Sequence, residues 1–418
     1  MWAAYYLAKA DPSLRIAVLE KEIAGFGASG RNGGCVSPFF PAPLEKLAET
    51  HGRDGALAMQ RAMFATVDEI GAVCAAEGID ASFRKGGYLS LATGPAQVAR
   101  ARGQADYYRG WGLGDDEMRW LDAGEVRVRL AVDGCLGGML AKACASLDPA
   151  RLVRGLARVV EGLGVTVYEQ TSVTRIDDGR LVTAAGDVRA EVVVRATEAF
   201  TARLPGARRE IVPLYAYMAA TEPLPADVWR ELGWDGREML SDFHHLYTFA
   251  MRSADDRIVL SGHGSPYHFA SGIDERFERS SGVQAKIDAR LRRTFPAARE
   301  ARITHRWGGA LGVPRDWFPS VGYDKAGRVA WAGGYVGDGV AAANLAGRTL
   351  ADLITNNQTA LAGLPWVQHR SPRWEPEPLR WAGVCGMIGL LARADRSEDR
   401  TGRPAKLTGL MHRFLPVA

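Results

Sequence analysis

The sequence contains few cysteines and no long apolar run. Its five cysteines are far apart and form no CxxC pair or Cys/His cluster, so no structural zinc site is expected. The absence of about 18 consecutive apolar residues predicts that no helix spans a membrane. The first residues, MWAAYYLAKADPS, lack the basic region and cleavage site of a signal peptide. We therefore expect a cytoplasmic protein with reduced cysteines.

The sequence also lacks a dense cluster of basic residues. The 52 Lys and Arg residues and 48 Asp and Glu residues leave a formal net charge of +4, and arginine is scattered along the chain. This distribution argues against a nucleic-acid partner. His244 and His245 are adjacent in a predicted strand and would point to opposite faces, so no metal site is expected there. A chain of 418 residues predicts at least two domains.

The chain alternates between predicted helices and predicted strands. Asp148 and Pro149 suit the N-cap and first position of a helix, and Ala254–Asp256 predicts the turn of a hairpin. Helices are predicted over residues 1–10, 43–77, 95–110, 149–163, 282–295 and 340–354, with one or two more after 361. Strands are predicted over 14–20, 165–169, 191–197, 211–221, 245–262 and 328–334.

The first predicted strand, Leu14–Glu20, ends in an acid. In dinucleotide-binding folds the second strand ends in an acid that binds the ribose hydroxyls, about 20 residues after the third glycine of GxGxxG. Counting back from Glu20 places that glycine just before Met1. Residues 1–10 would then be the helix whose N-terminus holds the pyrophosphate. The alternative is that Glu20 is an ordinary acid at a strand end.

Two glycine-rich segments follow at opposite ends of the chain. In GFGASGRNGG (25–34), the glycines let backbone N–H groups approach a phosphate, and Ser29, Arg31 and Asn32 add polar contacts. In AGGYVGDGV (332–340), a strand enters a glycine turn and then a helix, whose N-terminus suits negative charge. Considered alone, the segment 25–34 could be an ordinary surface loop, and the segment 332–340 could belong to any strand–turn–helix unit.

Together these motifs carry a family resemblance. EKxxxGxGASGRNGG (20–34) and GGYxGxGV followed by LAGR and ADLI (333–354) resemble the FAD-dependent oxidoreductases of the D-amino-acid oxidase/glycine oxidase superfamily. Within it, the chain is most similar to the gamma-glutamylputrescine oxidase-like branch. ATEPLP (220–225) and RWGG…PRDWFPSVG (306–322) resemble that branch as well. A flavin domain acting on modified tRNA belongs to the same superfamily, but the weak basic balance argues against it.

The resemblance implies an α/β (α+β) fold with two domains and a tail. The first is a discontinuous, Rossmann-like FAD/NAD(P)-binding domain, and the second is a substrate domain built on an antiparallel sheet. Residues 1–45, 145–205 and 305–360 would form the FAD-binding domain, 46–144 and 206–304 the substrate domain, and 361–418 a C-terminal helical tail.

The resemblance also implies which residues meet FAD. Glu20 would bind the adenosine ribose, and Val173 would meet the adenine side through its backbone. Since no cysteine occurs in 305–324, FAD is expected to be held non-covalently. The residues along the pyrophosphate and flavin would be Ser29, Arg31, Asn32 and Gly33, and those at the isoalloxazine Gly334, Gly337, Gly339 and Val340.

The implied reaction is oxidation of the C–N bond of an amine or amino acid. A neutral amine would transfer a hydride to flavin N5, the imine would hydrolyse, and dioxygen or another acceptor would reoxidise the flavin. An arginine facing the substrate could clamp a carboxylate; the alternative is that these are half-buried sheet residues. The candidates for the substrate face are Tyr247, Arg252, His263, Tyr267, Trp307 and Arg315.

The chain departs from the family pattern in two places. The GxGxxG motif and its strand are absent from this sequence, and Glu198 stands where the superfamily often has glycine. One hypothesis is an active oxidoreductase whose chain begins upstream of Met1. The other is a non-catalytic remnant or binding protein, since loss of a central strand would expose neighbouring strand edges and apolar surface.

Overall fold

The computed structural model describes residues 1–177, 179–262 and 264–406. The helices in these ranges are α1 Trp2–Ala10, α2 Ala28–Arg31, α3 Leu44–Ala76, α4 Pro95–Gly110, α5 Ala123–Arg129, α6 Pro149–Gly162, α7 Ala226–Leu232, α8 Ser281–Thr294, α9 Gly339–Thr355 and α10 Leu379–Thr401. The strands are β1 Ala17–Leu19, β2 Cys35–Val36, β3 Tyr88–Ala92, β4 Met118–Asp122, β5 Gly137–Ala141, β6 Ala145–Ser146, β7 Thr166–Tyr168, β8 Val173–Asp177, β9 Arg180–Thr183, β10 Gly186–Arg189, β11 Val193–Arg195, β12 Ile211–Thr221, β13 Met239–Asp242, β14 Phe249–Arg252, β15 Ile258–Ser261, β16 Ile303–Pro314, β17 Ser320–Asp324 and β18 Val329–Gly333.

The helices predicted from capping and apolar spacing are confirmed. At the start of α6 the Asp148 carboxylate accepts the backbone N–H of Arg151 at 3.0 Å, and Pro149 is the first helical residue. The glycine-rich segment 25–34 contains the short helix α2, and the strand β2 follows it. The predicted strand 14–20 is shorter than expected and covers only β1. The dipeptide Asp178–Gly179 predicts a further hairpin turn, but Asp178 lies outside the described residues.

Eight strands form one large sheet, in the order β16-β12-β15-β14-β13-β3-β5-β4. β12 pairs with β16 along its whole length, and α8 packs behind them through buried Ile287 and Leu291. The sheet is mixed rather than purely antiparallel, because β13 runs parallel to β3. The predicted α/β (α+β) fold class is confirmed, with the correction that the large sheet is mixed. The sequence analysis does not predict β3, β4 and β5, which form one end of this sheet.

The remaining part of the core contains short parallel pairings. β1 pairs with β7 and β11 pairs with β18 in parallel, and β18 also pairs with β17 in the antiparallel direction. Across the described ranges, β1 has no other strand partner and β11 pairs only with β18. Strands β10, β9 and β8 form a separate three-stranded sheet that shares no strand with these pairs.

Helices α1 and α9 pack tightly against each other. A side chain at Gly347 of α9 would place its Cβ 2.8 Å from the Trp2 backbone, so only glycine permits this approach. Trp2 and Tyr5 of α1 are buried together with Leu345 of α9. This packing fixes the start of α1 relative to α9.

The last helix, α10, lies beyond these elements in the chain; its first half is apolar apart from Arg380, and its second half is rich in charged residues. Its buried residues are near its two ends: Arg380 at the start, and Ala394, Asp395 and Glu398 towards the finish. Among the helices of the described ranges, none combines the length and apolar content needed to cross a membrane.

Candidate active site

A cavity of about 2800 Å³ runs from the end of β1 to the inner face of the large sheet. It begins beside Glu20, passes the glycine-rich loop of residues 25–34, and reaches the first turn of α9. Tyr88, Tyr247 and one face of α10 line its other end. The cavity therefore connects both glycine-rich segments and the acid singled out in the sequence.

The acid at the end of β1 is partly withdrawn from solvent. The Glu20 carboxylate accepts the backbone N–H of Glu22 at 2.9 Å, and burial raises the pKa of its carboxyl above the ordinary value. Val173, at the start of β8, lines the same end of the cavity. A carboxylate beside exposed backbone groups can recognise the hydroxyls and base of an adenosine.

The glycine-rich loop passes directly under the large sheet. A Cβ on Gly33 would lie 2.1 Å from the ring of Phe249, so this close approach requires glycine. The Asn32 side chain accepts the N–H of Gly34 at 2.8 Å and donates to the carbonyl of Ala28 at 3.1 Å. These bonds shape the loop so that its backbone follows the cavity wall.

Two side chains connect this loop to the rest of the molecule. Arg31 forms an ion pair with Glu278 at 2.6 Å, and the indole N–H of Trp307 donates to the Arg31 carbonyl at 2.8 Å. Arg31, Asn32 and Ser29 all line the cavity, whereas Trp307 does not. Trp307 is thus placed as a support for the loop.

The first turn of α9 presents backbone donors to the cavity. Gly337 has φ of 107°, a conformation that favours glycine, and it lines the cavity with Gly339 and Val340. Asp338 is the N-cap residue, yet its side chain makes no capping hydrogen bond. The first N–H groups of this 17-residue helix are therefore available to a ligand with negative charge.

Glu198 fills the space next to this turn. Its backbone has φ of 44°, and its carboxylate accepts the N–H of Tyr335 at 2.8 Å. A Cβ on Gly312 would lie 2.1 Å from the same carboxylate, so glycine there makes room for it. Burial raises the pKa of Glu198 to about 7. Gly334 does not line the cavity; it packs on Pro314 instead.

The end of the cavity near the large sheet combines a carboxylate with phenol rings. Tyr88, Tyr108, Tyr247 and Asp338 all line it. Burial raises the pKa of Asp338 to about 6, and a hydrogen bond from Ser37 opposes that shift. The Asp338 charge in turn raises the pKa of Tyr108 and of Tyr247, whose pKa values are already raised by burial. These groups therefore lie close enough to share one polar environment.

Two of the six predicted substrate-face residues line the cavity. Tyr247 is 54% exposed, and the surface it exposes lies at the cavity wall. Arg315 also lines the cavity, and its guanidinium is bound to Glu375 at 3.0 Å.

Among the described candidates, Arg252, Tyr267 and Trp307 do not line the cavity. Arg252 forms ion pairs with Asp256 and Asp235 and does not line the cavity. Tyr267 is buried and donates its hydroxyl to Glu377 at 2.5 Å. His263 lies outside the described residues. The assignment of Arg252 and Tyr267 to the substrate face remains a prediction that their positions do not favour.

Acids of α10 bind the turn that follows β13. Asp395 accepts the backbone N–H groups of His245 and Leu246 at 2.7 and 3.0 Å. Glu398 binds Arg100 at 2.6 Å and His245 at 3.2 Å. Side-chain atoms of His245, Asp395 and Glu398 lie close enough to hold a metal ion, but the Arg100 guanidinium is already 2.9 Å from His245. The arrangement therefore acts as an ion-pair network that fixes α10.

Asp338, Tyr88 and the face of α10 that lines the cavity are not predicted from the sequence. Asp338 stands between Gly337 and Gly339 in the second glycine-rich segment, and a carboxylate at that position is a signal that the sequence does carry. Tyr88 belongs to a strand that was not predicted. For α10, the sequence shows an apolar segment without showing what it covers.

Comparison with known proteins agrees with this geometry. A family model described as FAD dependent oxidoreductase matches residues 1–353. The chain is 28% identical over 364 residues to gamma-glutamylputrescine oxidoreductase of Escherichia coli (strain K12), covering 85% of this chain and 82% of that protein. Among solved structures, it resembles glycine oxidase from Geobacillus kaustophilus with a TM-score of 0.70 and 24% identity, covering 88% and 95% of the two chains. L-proline dehydrogenase from P. horikoshii gives a TM-score of 0.68 at 20% identity, covering 86% and 91%.

The residues along the cavity fit the cofactor of that family. An acid and exposed backbone lie at one end, tightly turned glycines in the middle, and an uncapped helix N-terminus at the other. These are the donor types that adenosine ribose, phosphate and an electron-rich ring edge require. Part of the cavity continues between β1 and β11, where Val18 and Val194 line it.

Proposed function

The chain belongs to the FAD-dependent oxidoreductase family, and on that premise we propose that it oxidises the C–N bond of an amine or amino acid. The observation that carries the proposal is the single cavity that connects Glu20, the 25–34 loop and the start of α9 with a tyrosine-lined end. Bound FAD supplies the two-electron acceptor, and dioxygen or another acceptor restores it.

Each segment of the cavity has a separate task in this proposal. Glu20 and Val173 hold the adenosine end, while the first turn of α9 stabilises negative charge on the flavin ring. Ser29, Arg31, Asn32 and Gly33 lie along the connecting part. Tyr88 and Tyr247 border the space left for the substrate and exclude water from it. The product imine hydrolyses to a carbonyl compound and ammonia or an amine.

The test begins with the visible absorption of the purified 418-residue protein after incubation with FAD and desalting. We expect retained flavin absorbance that bleaches when an amine or amino acid is added without oxygen, and peroxide when oxygen is the acceptor. A protein that retains FAD but is reduced by no compound from a broad amine and amino-acid panel would contradict the proposed reaction. A protein that binds no FAD would contradict the proposed cofactor site in this chain.

A variant at Glu20 refines the cofactor test. Glu20→Ala should weaken FAD binding by about 10-fold or more, because it removes an acceptor for two ribose hydroxyls. Glu161→Gln is the matched control, since Glu161 is exposed on α6 and does not line the cavity. Equal FAD affinity in the Glu20 variant and the control would remove Glu20 from the site.

A further inference from the structure

Two cysteine thiols are in contact where the glycine-rich loop enters β2. The Sγ atoms of Cys35 and Cys144 lie 3.9 Å apart. Cys35 pairs with Ser146 in the antiparallel register of β2 and β6, and Cys144 is two positions before Ser146 in the chain. Because alternate residues share one face of a strand, both sulfurs are on the same side of this pair. The half-buried Cys135 and Cys385 instead contact backbone carbonyls, at 3.3 and 3.9 Å. Cys35 and Cys144 are therefore neighbours in the fold, although 109 positions separate them in the chain.

The two thiols differ in their access to the cavity. Cys35 lines it, whereas Cys144 is fully buried and does not. Burial raises the pKa of the Cys144 thiol well above its ordinary value, so this thiol stays protonated and can donate its hydrogen to the Cys35 sulfur. A small oxidant in the cavity therefore reaches Cys35 first, and Cys144 is the second thiol within reach of the oxidised sulfur.

The glycine-rich loop is attached directly to this thiol pair. Gly34 precedes Cys35, and a Cβ on Gly34 would lie 2.1 Å from the Leu147 carbonyl, so the backbone fits here without spare room. The backbone of Cys144 is held from the other side, because its carbonyl accepts the N–H of Gly87 at 3.0 Å. Since this bond holds Cys144, a contraction between the two sulfurs has to move β2 and the loop that precedes it.

A disulfide between the two cysteines requires such a contraction. Its sulfurs are about 2.05 Å apart, against 3.9 Å between the two thiols. Diagonal neighbours across an antiparallel pair usually have Cα atoms about 7–8 Å apart, whereas Cα atoms linked by a disulfide are about 4.4–6.8 Å apart. The bond would therefore draw β2 towards β6 and displace the loop whose residues Arg31, Asn32 and Gly33 line the cavity.

We propose that Cys35 and Cys144 form a peroxide-sensitive site whose closure to a disulfide weakens FAD binding. The Cys35 sulfur attacks one oxygen of hydrogen peroxide, the O–O bond breaks, and a sulfenic acid and one water form. The Cys144 sulfur then attacks the Cys35 sulfur, the S–O bond breaks, and a disulfide and a second water form. The two thiols lose two electrons, which the peroxide gains. Hydrogen peroxide is released by the proposed reaction when dioxygen is the acceptor, but the modification requires only the peroxide, whatever its source.

Peptide mapping of the full chain tests the modification. The protein is treated with a small excess of hydrogen peroxide, the remaining thiols are blocked, and the digest is analysed by mass spectrometry. We expect one linked pair of peptides, which contains Cys35 and Cys144 and separates on reduction with dithiothreitol. Absence of this link from the peroxide-treated protein would overturn the proposed site.

Serine variants test the separate tasks of the two thiols. Cys144→Ser should leave Cys35 as a sulfenic acid that dimedone traps, because the second thiol is gone. Cys35→Ser should leave the buried Cys144 thiol unmodified. Cys135→Ser is the control, since Cys135 is half-buried and does not line the cavity, and it should form the same link as the wild type. Oxidation of Cys144 in the Cys35 variant at the wild-type rate would overturn the assignment of Cys35 as the thiol that reacts first.

Titration of flavin fluorescence tests the consequence for the cofactor. The FAD affinity of the peroxide-treated wild type should fall at least about 5-fold and return on reduction with dithiothreitol, because displacement of the loop removes contacts that the cofactor needs. Peroxide should not change the affinity of Cys35→Ser, since the thiol that starts the reaction is gone. Equal affinity of the wild type before and after disulfide formation would overturn the link between this site and FAD binding.

Discussion

The Glu198 carboxylate accepts a hydrogen bond from the backbone N–H of Tyr335 at 2.8 Å. This bond joins the segment after β11 to the turn that precedes α9. It places an acid at the wall of the cavity. Since Glu198 has a positive φ of 44° and is buried, its neighbours must hold it there against backbone strain and desolvation.

Glu198 makes stability depend on pH. Its pKa is about 7 in the folded protein, above the ordinary value of 4.5, because burial favours the neutral form. The stabilisation is therefore present below the unfolded pKa and is lost as pH rises through about 7. Urea unfolding without FAD should show a decrease of about 2–3 kcal/mol between pH 4.5 and 8 from this group. Glu198→Gln should flatten this dependence, and Glu161→Gln should leave it unchanged. An equally steep dependence in the Glu198 variant would contradict the assignment.

Gly33 sets the distance between the glycine-rich loop and the sheet. Gly33→Ala should displace the loop, because the new Cβ would lie 2.1 Å from Phe249. We expect FAD affinity, measured by titration of flavin fluorescence, to fall at least about 10-fold. Adding Phe249→Ala should restore part of the affinity by removing the clash. Gly103→Ala is the control, since a Cβ at Gly103 in α4 meets nothing within 4 Å. Normal affinity in the single Gly33 variant would show that the loop can move without consequence.

Ionisation of Asp338 should affect the pH dependence of flavin reduction. Its pKa of about 6 predicts that flavin reduction by an amine or amino acid falls as the pH drops below that value, because a protonated carboxyl at the cavity wall cannot accept a proton from the substrate ammonium group. Ser37, Tyr108, Tyr247 and Cys144 are the polar and titratable groups close to it. Stopped-flow reduction between pH 5 and 9 would show this limb in the wild type. Its persistence in Asp338→Asn would assign the limb to another group.

Asp395 should determine how firmly α10 covers the cavity. Its carboxylate accepts the N–H groups of both His245 and Leu246, and an asparagine could accept only one of them on its oxygen. Asp395→Asn should therefore speed hydrogen exchange in α10 by about 10-fold or more. Arg396→Gln, on the exposed side of the same helix, should not. Equal exchange in both variants would show that other contacts hold the helix.

Local sequence determined much of the secondary structure and the family. The Asp148–Pro149 start of α6 and the β14–β15 hairpin follow from capping and turn chemistry, which involve residues only a few positions apart. The glycine segments around Gly33 and Gly337 could be recognised for the same reason, because backbone conformation at a glycine is a local property. These signals were sufficient to identify the FAD-dependent family and to predict the fold class.

Tertiary structure alone decided which residues line the tyrosine-containing end of the cavity. β3 pairs with β13 across about 150 residues of chain, and no local pattern states which strand will be its neighbour. Arg252 and Arg315 look alike in sequence, yet only Arg315 lines the cavity. The apolar sequence of α10 does not show which face is covered, because that depends on ion pairs with Arg100 and on the turn after β13. Packing between distant segments therefore selects the residues that line the cavity, while local chemistry determines the elements that carry them.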